Sequence, residues 1–256
     1  MQELDQQFHD PIVNVLLCVA DDKLFLGHKN SDWTGLAPIL EADIAFSSLS
    51  QDDIAHASAF YELIQTITGQ NPDQIAFSRN ANEYLCADIV TKDDSFNWAN
   101  AIARQFYCNV YEYYRLQRLS TASWTPLASL AKRIFAEQVI HVDHVTSWIK
   151  HLGKGSGDSN SRMQQALDTY APFASMLFEA PEGIETLFEG KIISDDGCMF
   201  TEWKEHVDQV TNEAGLKATV APVSGVGGRR GSHGAEFKES LCELQEVFST
   251  DPLAAW

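Results

Sequence analysis

The chain has 256 residues, 45% of them hydrophobic, and its 36 acidic and 18 basic residues leave a net charge of −18. That apolar content supports a large core and excludes intrinsic disorder. The negative charge excludes nucleic acid as a partner and disfavours docking on an anionic membrane, because both need a basic surface.

The N-terminal segment, the apolar runs and the cysteines of the sequence bear on the cellular compartment of the protein. The N-terminus carries acids where a secretory signal carries basic residues, and no apolar run approaches the length of a membrane span. The five scattered cysteines contain no CxxC pair. We therefore expect a cytoplasmic protein with reduced thiols and no membrane association.

Proline and glycine are scarce, and the segments between them predict helices. Four long helices are expected in the first 152 residues, over 12–26, Ile39–Thr68, Phe96–Leu119 and Pro126–Leu152. Gly27 is expected to end the first helix, and 27–38 to form a loop. Between the second and third helices, 73–81 could form a short helix, and 83–90 either a helical turn or a strand.

The remaining segments predict a helical extension. After a flexible linker over 153–161, helices are expected over 162–179, 201–214 and 236–249, with 216–235 irregular. The sum is an all-α chain, a four-helix bundle over about 12–152 followed by a C-terminal extension over about 160–256. We expect residues 1–256 to form a single domain.

Two of the long helices carry a carboxylate close to a histidine on one helical face. The second has Asp53 three residues before His56, and the fourth has Glu137 and Gln138 before His141. Carboxylate and histidine at this spacing, facing inward from two helices, build the di-iron or di-manganese cage of ferritin-like bundles together with one carboxylate from each other helix.

The cage is imperfect in this sequence. Gln138 stands where a glutamate is expected, and Lys23 and Asn109 stand near the positions of the two single carboxylates. The vestigial metal candidates are therefore Asp53, His56, Glu112, Glu137 and His141. The competing interpretation is a polar replacement of the metal by Lys23, Asn109 and Gln138, with Lys23 paired to Asp53 or to Glu112.

Two further features suggest contact with a partner. Glycines at 225–228 precede Arg229, Arg230 and His233, a basic spot that predicts either a docking or phosphate-binding loop or a solvated turn. The aromatic run over 106–114 is dense enough to predict that some rings face another subunit, the alternative being a core seam with ordinary exposed tyrosines.

Several segments resemble the phenylacetate-degradation C proteins, which belong to the multicomponent ring-1,2-phenylacetyl-CoA epoxidase. The resemblance lies in 27–61, in AIARQFY at 101–107, in 148–167 and, most specifically, in the C-terminal stretch 227–256. It covers most of the chain and implies a ferritin-like bundle with additional C-terminal helices.

The resemblance also implies a role. In that family the A-type subunit holds the di-iron centre and the C-type subunit supports it, so we expect a non-catalytic chain without a cofactor, with iron in the partner. The expected partners are the catalytic A-type subunit and the other subunits of the complex, with a homodimer as a further prediction. The alternative is an active di-iron oxygenase that uses the altered carboxylate and histidine site in this chain.

Overall fold

A computed structural model describes residues 4–195 and 197–251, and no strand occurs within these ranges. Four long helices dominate it: α1 (His9–Ser31), α2 (Leu40–Thr68), α4 (Trp98–Leu119) and α5 (Thr125–Gly153). Five shorter helices complete the described part: α3 (Pro72–Phe77), α6 (Gly157–Ala174), α7 (Ile184–Glu189), α8 (Met199–Glu213) and α9 (Ala235–Thr250). The fold is an all-α, ferritin-like bundle, as the sequence predicts.

The bundle is built from two helical hairpins. Short connections join α1 to α2 and α4 to α5, and each pair packs along its length. The long excursion between the hairpins contains α3 and two 3-10 turns, Ala81–Glu83 and Asp88–Thr91, which decides the open prediction for 83–90 against a strand. No helix of the described ranges is long and apolar enough to cross a membrane.

The first helix corrects the boundary predicted at Gly27. Helix α1 continues through this residue to Ser31, and Gly27 lies buried against α2. A Cβ atom at this position would come within 2.9 Å of both the Ser50 carbonyl oxygen and Ile54 Cγ1. The glycine therefore permits a close approach of two helices and does not end one.

The linker prediction is also wrong in part. The Ser156 side chain accepts a hydrogen bond from the backbone N–H of Ser159 and caps α6, which begins at Gly157 inside the supposed flexible segment. Helix α7 was not predicted, because its six residues are too few to show a periodic pattern.

The C-terminal extension covers only part of the bundle. Helices α6 and α8 pack on α4 and α5, α7 packs on α1, and α9 packs on α1 and α3. Helix α2 makes its main contacts with α1, α3 and α5 alone. Its outer face is consequently left open to solvent.

The aromatic run of α4 lies inside the chain. Phe106, Tyr107 and Tyr111 are buried, and Tyr113 and Tyr114 are half-buried against Phe135 and His206. Phe106, Tyr107 and Tyr111 therefore form a core seam, as the alternative predicts, and contact of Tyr113 or Tyr114 with another subunit stays a prediction. The α6 and α8 helices supply the additional apolar surface that buries them.

Candidate functional site

A polar layer crosses the middle of the bundle. It separates two hydrophobic clusters, one around α4, α6 and α8 and the other around the first half of α1 and the second half of α2. Each long helix contributes buried polar residues to it: Lys23 from α1, Asp53 and His56 from α2, Asn109 and Glu112 from α4, and Gln138 and His141 from α5. This is the level at which ferritin-like proteins build their metal cage.

The ammonium group of Lys23 lies at the centre of the layer. Its Nζ atom donates to Asp53 Oδ1 at 2.8 Å and to Gln138 Oε1 at 2.7 Å. The Gln138 amide nitrogen in turn donates to the carbonyl and side-chain oxygens of Asn109, both at 3.1 Å. All four residues are at most 2% exposed, so this is a buried ion pair extended by amide hydrogen bonds.

Glu112 does not join this network. Its carboxylate pairs with Arg115 one turn along α4, at 2.7 Å from Nε, and Arg115 also reaches Asp22 at 2.9 Å. Of the two partners predicted for Lys23, Asp53 is therefore the one that contacts it, whereas Glu112 pairs with Arg115 instead.

The two histidines are tied across the seam between α2 and α5. His56 Nε2 lies 2.5 Å from Glu137 Oε2 and His141 Nε2 lies 3.3 Å from Asp52 Oδ2, and the two rings stack 6.0 Å apart. Each buried imidazole thus uses one nitrogen on a half-exposed carboxylate of the opposite helix. Asp52 was missed in the sequence, although its place beside Asp53 puts it on the edge of the same helical face.

Burial lowers the pKa of both histidines, because the charged imidazolium loses its hydration. The positive charge of Lys23 lowers both pKa values further, while Glu137 acts in the opposite direction on His56, and Asp53 and Asp52 do so on His141. The histidines are therefore neutral at physiological pH, and the layer has one fixed cation, Lys23, facing Asp53.

This donor set does not fit a di-metal cage. A pair of divalent ions needs several carboxylates pointing inward, whereas here an ammonium group takes up Asp53 and an amide stands at the position of a glutamate. Within 4–195 and 197–251, no group of three or more histidine, cysteine, aspartate or glutamate residues could hold a metal ion. The layer is suited to hold four helices together, since hydrogen bonds link Lys23, Asp53, Gln138 and Asn109, one residue from each long helix.

The loop predicted to dock a partner is folded onto the protein at Arg229. The Arg229 guanidinium is buried, donates to the carbonyl oxygens of Cys18 and Leu85 at 3.0 Å, and pairs with Asp22 at 2.6 Å. A Cβ atom on Gly228 would lie 2.0 Å from the Cys86 carbonyl oxygen, so only glycine permits this approach. The docking prediction is wrong for Arg229, whose fork is already occupied.

The other two residues of the predicted docking loop, Arg230 and His233, differ from Arg229 and from each other in exposure and contacts. Arg230 is exposed, so a docking role for it stays a prediction. His233 stacks on Phe237 with ring centroids 3.7 Å apart, and its Nε2 lies 2.8 Å from the Tyr84 carbonyl oxygen. Its side chain therefore serves to hold α9 against the bundle.

Comparison with known proteins finds relatives along the whole chain. All residues 1–256 match the family described as phenylacetic acid catabolic protein. A curated relative, the C-type subunit of the 1,2-phenylacetyl-CoA epoxidase of Escherichia coli strain K12, is 27% identical over 241 residues, which cover 94% of this chain and 97% of the relative.

Proposed function

Because the chain belongs to the phenylacetic acid catabolic protein family, we propose that it is a non-catalytic structural subunit of a phenylacetyl-CoA ring epoxidase complex, acting in aerobic phenylacetate degradation. In this role it stabilises a di-iron catalytic subunit and holds no iron itself. The similarity to a C-type epoxidase subunit along nearly the whole of both chains supports the complex.

The observation that carries the non-catalytic role is the position of Lys23. Its ammonium group contacts Asp53 and Gln138 at the level where a di-metal cage would lie. A cation at this point competes directly with metal ions for the same carboxylate, and removing it would leave Asp53 without its partner.

The outer face of α2 is suited to contact an uncharged, partly apolar surface of a partner. Its exposed positions between Glu41 and Glu62 carry no charge, although the chain as a whole has a net charge of −18. They are Ile44, Ser48, Gln51, Ile54, Ala55 and Ser58. Ile44 is 62% exposed and Ile54 41%. Two carboxylates within this range, Asp43 and Asp52, are only partly exposed. A largely uncharged, partly apolar helix face of this length is what a helix of a second subunit can bury, and we assign it to the catalytic subunit.

Co-purification of the two subunits tests this assignment. We expect the wild-type chain to hold the catalytic subunit in solution, and the Ile44→Glu/Ile54→Glu variant to lose it, because two charges would be buried unpaired at the interface. Val247→Glu is the matched control, since Val247 is 62% exposed on α9, away from α2. A catalytic subunit that stays soluble and active without this chain would overturn the proposal.

Metal analysis of the isolated chain after anaerobic loading with Fe²⁺ separates this role from that of a di-iron oxygenase. We expect no bound iron above that of a matched sample loaded and then treated with a chelator. About two irons per chain, the content of a ferritin-like di-iron site, would show that the alternative is correct.

A further inference from the structure

A cavity of about 380 Å³ lies beside the polar layer, between α1, α4 and the C-terminal extension. Its volume is within the range of small-molecule sites in proteins. No part of the proposed scaffold role uses this cavity. It is separate from the open face of α2, since no α2 residue belongs to its described wall.

The wall of this cavity is apolar and rich in aromatic rings. Phe178, Phe188 and Phe200 are half-buried and border the cavity. Phe178 packs edge-on against Tyr111 and Phe200, at centroid distances of 5.0 and 5.1 Å, so these rings are held in place by one another. Aliphatic side chains complete the wall, among them Val15, Leu119, Ile184, Ile193 and Met199.

The buried charged groups of the wall have partners within the chain, and the half-buried Arg118 pairs with Glu202 at 2.6 Å. Arg115 contacts Asp22 and Glu112, and Arg229 contacts the same Asp22 at 2.6 Å. Glu179 accepts hydrogen bonds from the backbone N–H groups of Gly227 and Arg229, at 2.9 and 3.1 Å. A charged ligand would therefore lose its hydration at these groups without gaining a counter-ion.

From this wall we infer that the cavity is a binding site for a neutral small molecule with an aromatic ring. Apolar cavities take up such molecules because their walls give dispersion contacts that water cannot use. Aromatic rings fixed edge-on favour a further ring over an aliphatic group of similar size. The same chemistry excludes an intact CoA thioester, whose phosphates would face the paired charges.

Ligand-observed ¹⁹F NMR with fluorobenzene and the full-length chain tests this site. We expect saturable binding to the wild type and at least about tenfold weaker binding to Val223→Trp, whose indole would fill the cavity from a half-buried loop position. The matched control is Val226→Trp in the same loop, because Val226 is 71% exposed and lies outside the wall.

Competition against fluorobenzene tests the ligand class. Phenylacetate should displace it at least about tenfold less well than toluene, because its carboxylate would be buried unpaired, and cyclohexane about threefold less well, because it lacks a ring quadrupole. The inference is overturned if fluorobenzene does not saturate, if Val223→Trp binds it as well as Val226→Trp does, or if phenylacetate or cyclohexane competes as well as toluene.

Discussion

Lys23 holds a positive charge inside the bundle, where an unpaired ammonium group would cost several kcal/mol. Asp53 supplies the opposite charge and Gln138 the second acceptor. Removal of one partner therefore costs more stability than the intact pair contributes, since the other partner is left buried and uncompensated.

The first prediction concerns this pair. Asp53→Ala should lower the free energy of unfolding by about 3–5 kcal/mol, because it strands the Lys23 charge. Urea denaturation measures it. Asp52→Ala, one residue away and half-exposed, should cost less than about 1 kcal/mol. Equal losses in the two variants would show that the ion pair does not hold the layer together.

The second prediction concerns His56 and His141. Because burial lowers their pKa values in the folded state, the unfolded chain takes up protons first as the pH falls through the ordinary histidine pKa near 6.5. The unfolded state then binds more protons, so stability decreases with falling pH, by up to about 1.4 kcal/mol per pH unit for each histidine until the folded form also titrates.

Urea midpoints at pH 7.5 and pH 5.5 measure this effect. The wild type should lose more stability between these values than the His56→Gln/His141→Gln variant, which keeps the remaining histidines as an internal control. A variant that loses as much as the wild type would assign the pH dependence to the histidines elsewhere in the chain.

At the scale of elements, Gly27 sets the contact between α1 and α2. The third prediction is that Gly27→Ala destabilises the chain by about 1–3 kcal/mol, despite the better helix propensity of alanine, because its Cβ would collide with the Ser50 carbonyl and Ile54. Gly157→Ala, where a Cβ meets nothing within 4 Å, should be neutral or stabilising. Thermal unfolding of both variants compares them, and an equal response would exclude close packing as the role of Gly27.

Gly27 also shows what sequence reasoning can and cannot reach. Helical periodicity and the scarcity of proline and glycine predict the four long helices, and the spacing of carboxylates and histidines predicts the level at which Lys23, Asp53 and Gln138 meet. A single sequence does not tell a glycine that ends a helix from one that admits a neighbouring helix, since both lie at the edge of an apolar run. The same limit applies to Arg229. Its burial depends on contacts with Asp22 and Glu179, which are distant in the chain, so the local sequence does not show it.

At the scale of the whole molecule, the C-terminal extension covers some helices of the bundle and leaves the outer face of α2 exposed. The C-terminal extension covers parts of α1, α4 and α5, and the aromatic run of α4 is buried under it. Between Glu41 and Glu62, the exposed residues of α2 are uncharged in a strongly acidic chain, and the carboxylates Asp43 and Asp52 are only partly exposed. We propose that the contrast between this largely uncharged strip and the acidic surface elsewhere directs the partner subunit to this face.

We propose above all that this chain supports catalysis by a partner without taking part in the chemistry. The most direct test is the rate of phenylacetyl-CoA epoxidation, per assembled complex, with His56→Gln/His141→Gln in this chain. Gel filtration and subunit ratios establish that the variant complex is assembled. We predict the wild-type rate, because the proposal places both the iron and the substrate in the catalytic subunit. A fall to background in the fully assembled complex would contradict the supporting role and place a working metal site in this chain.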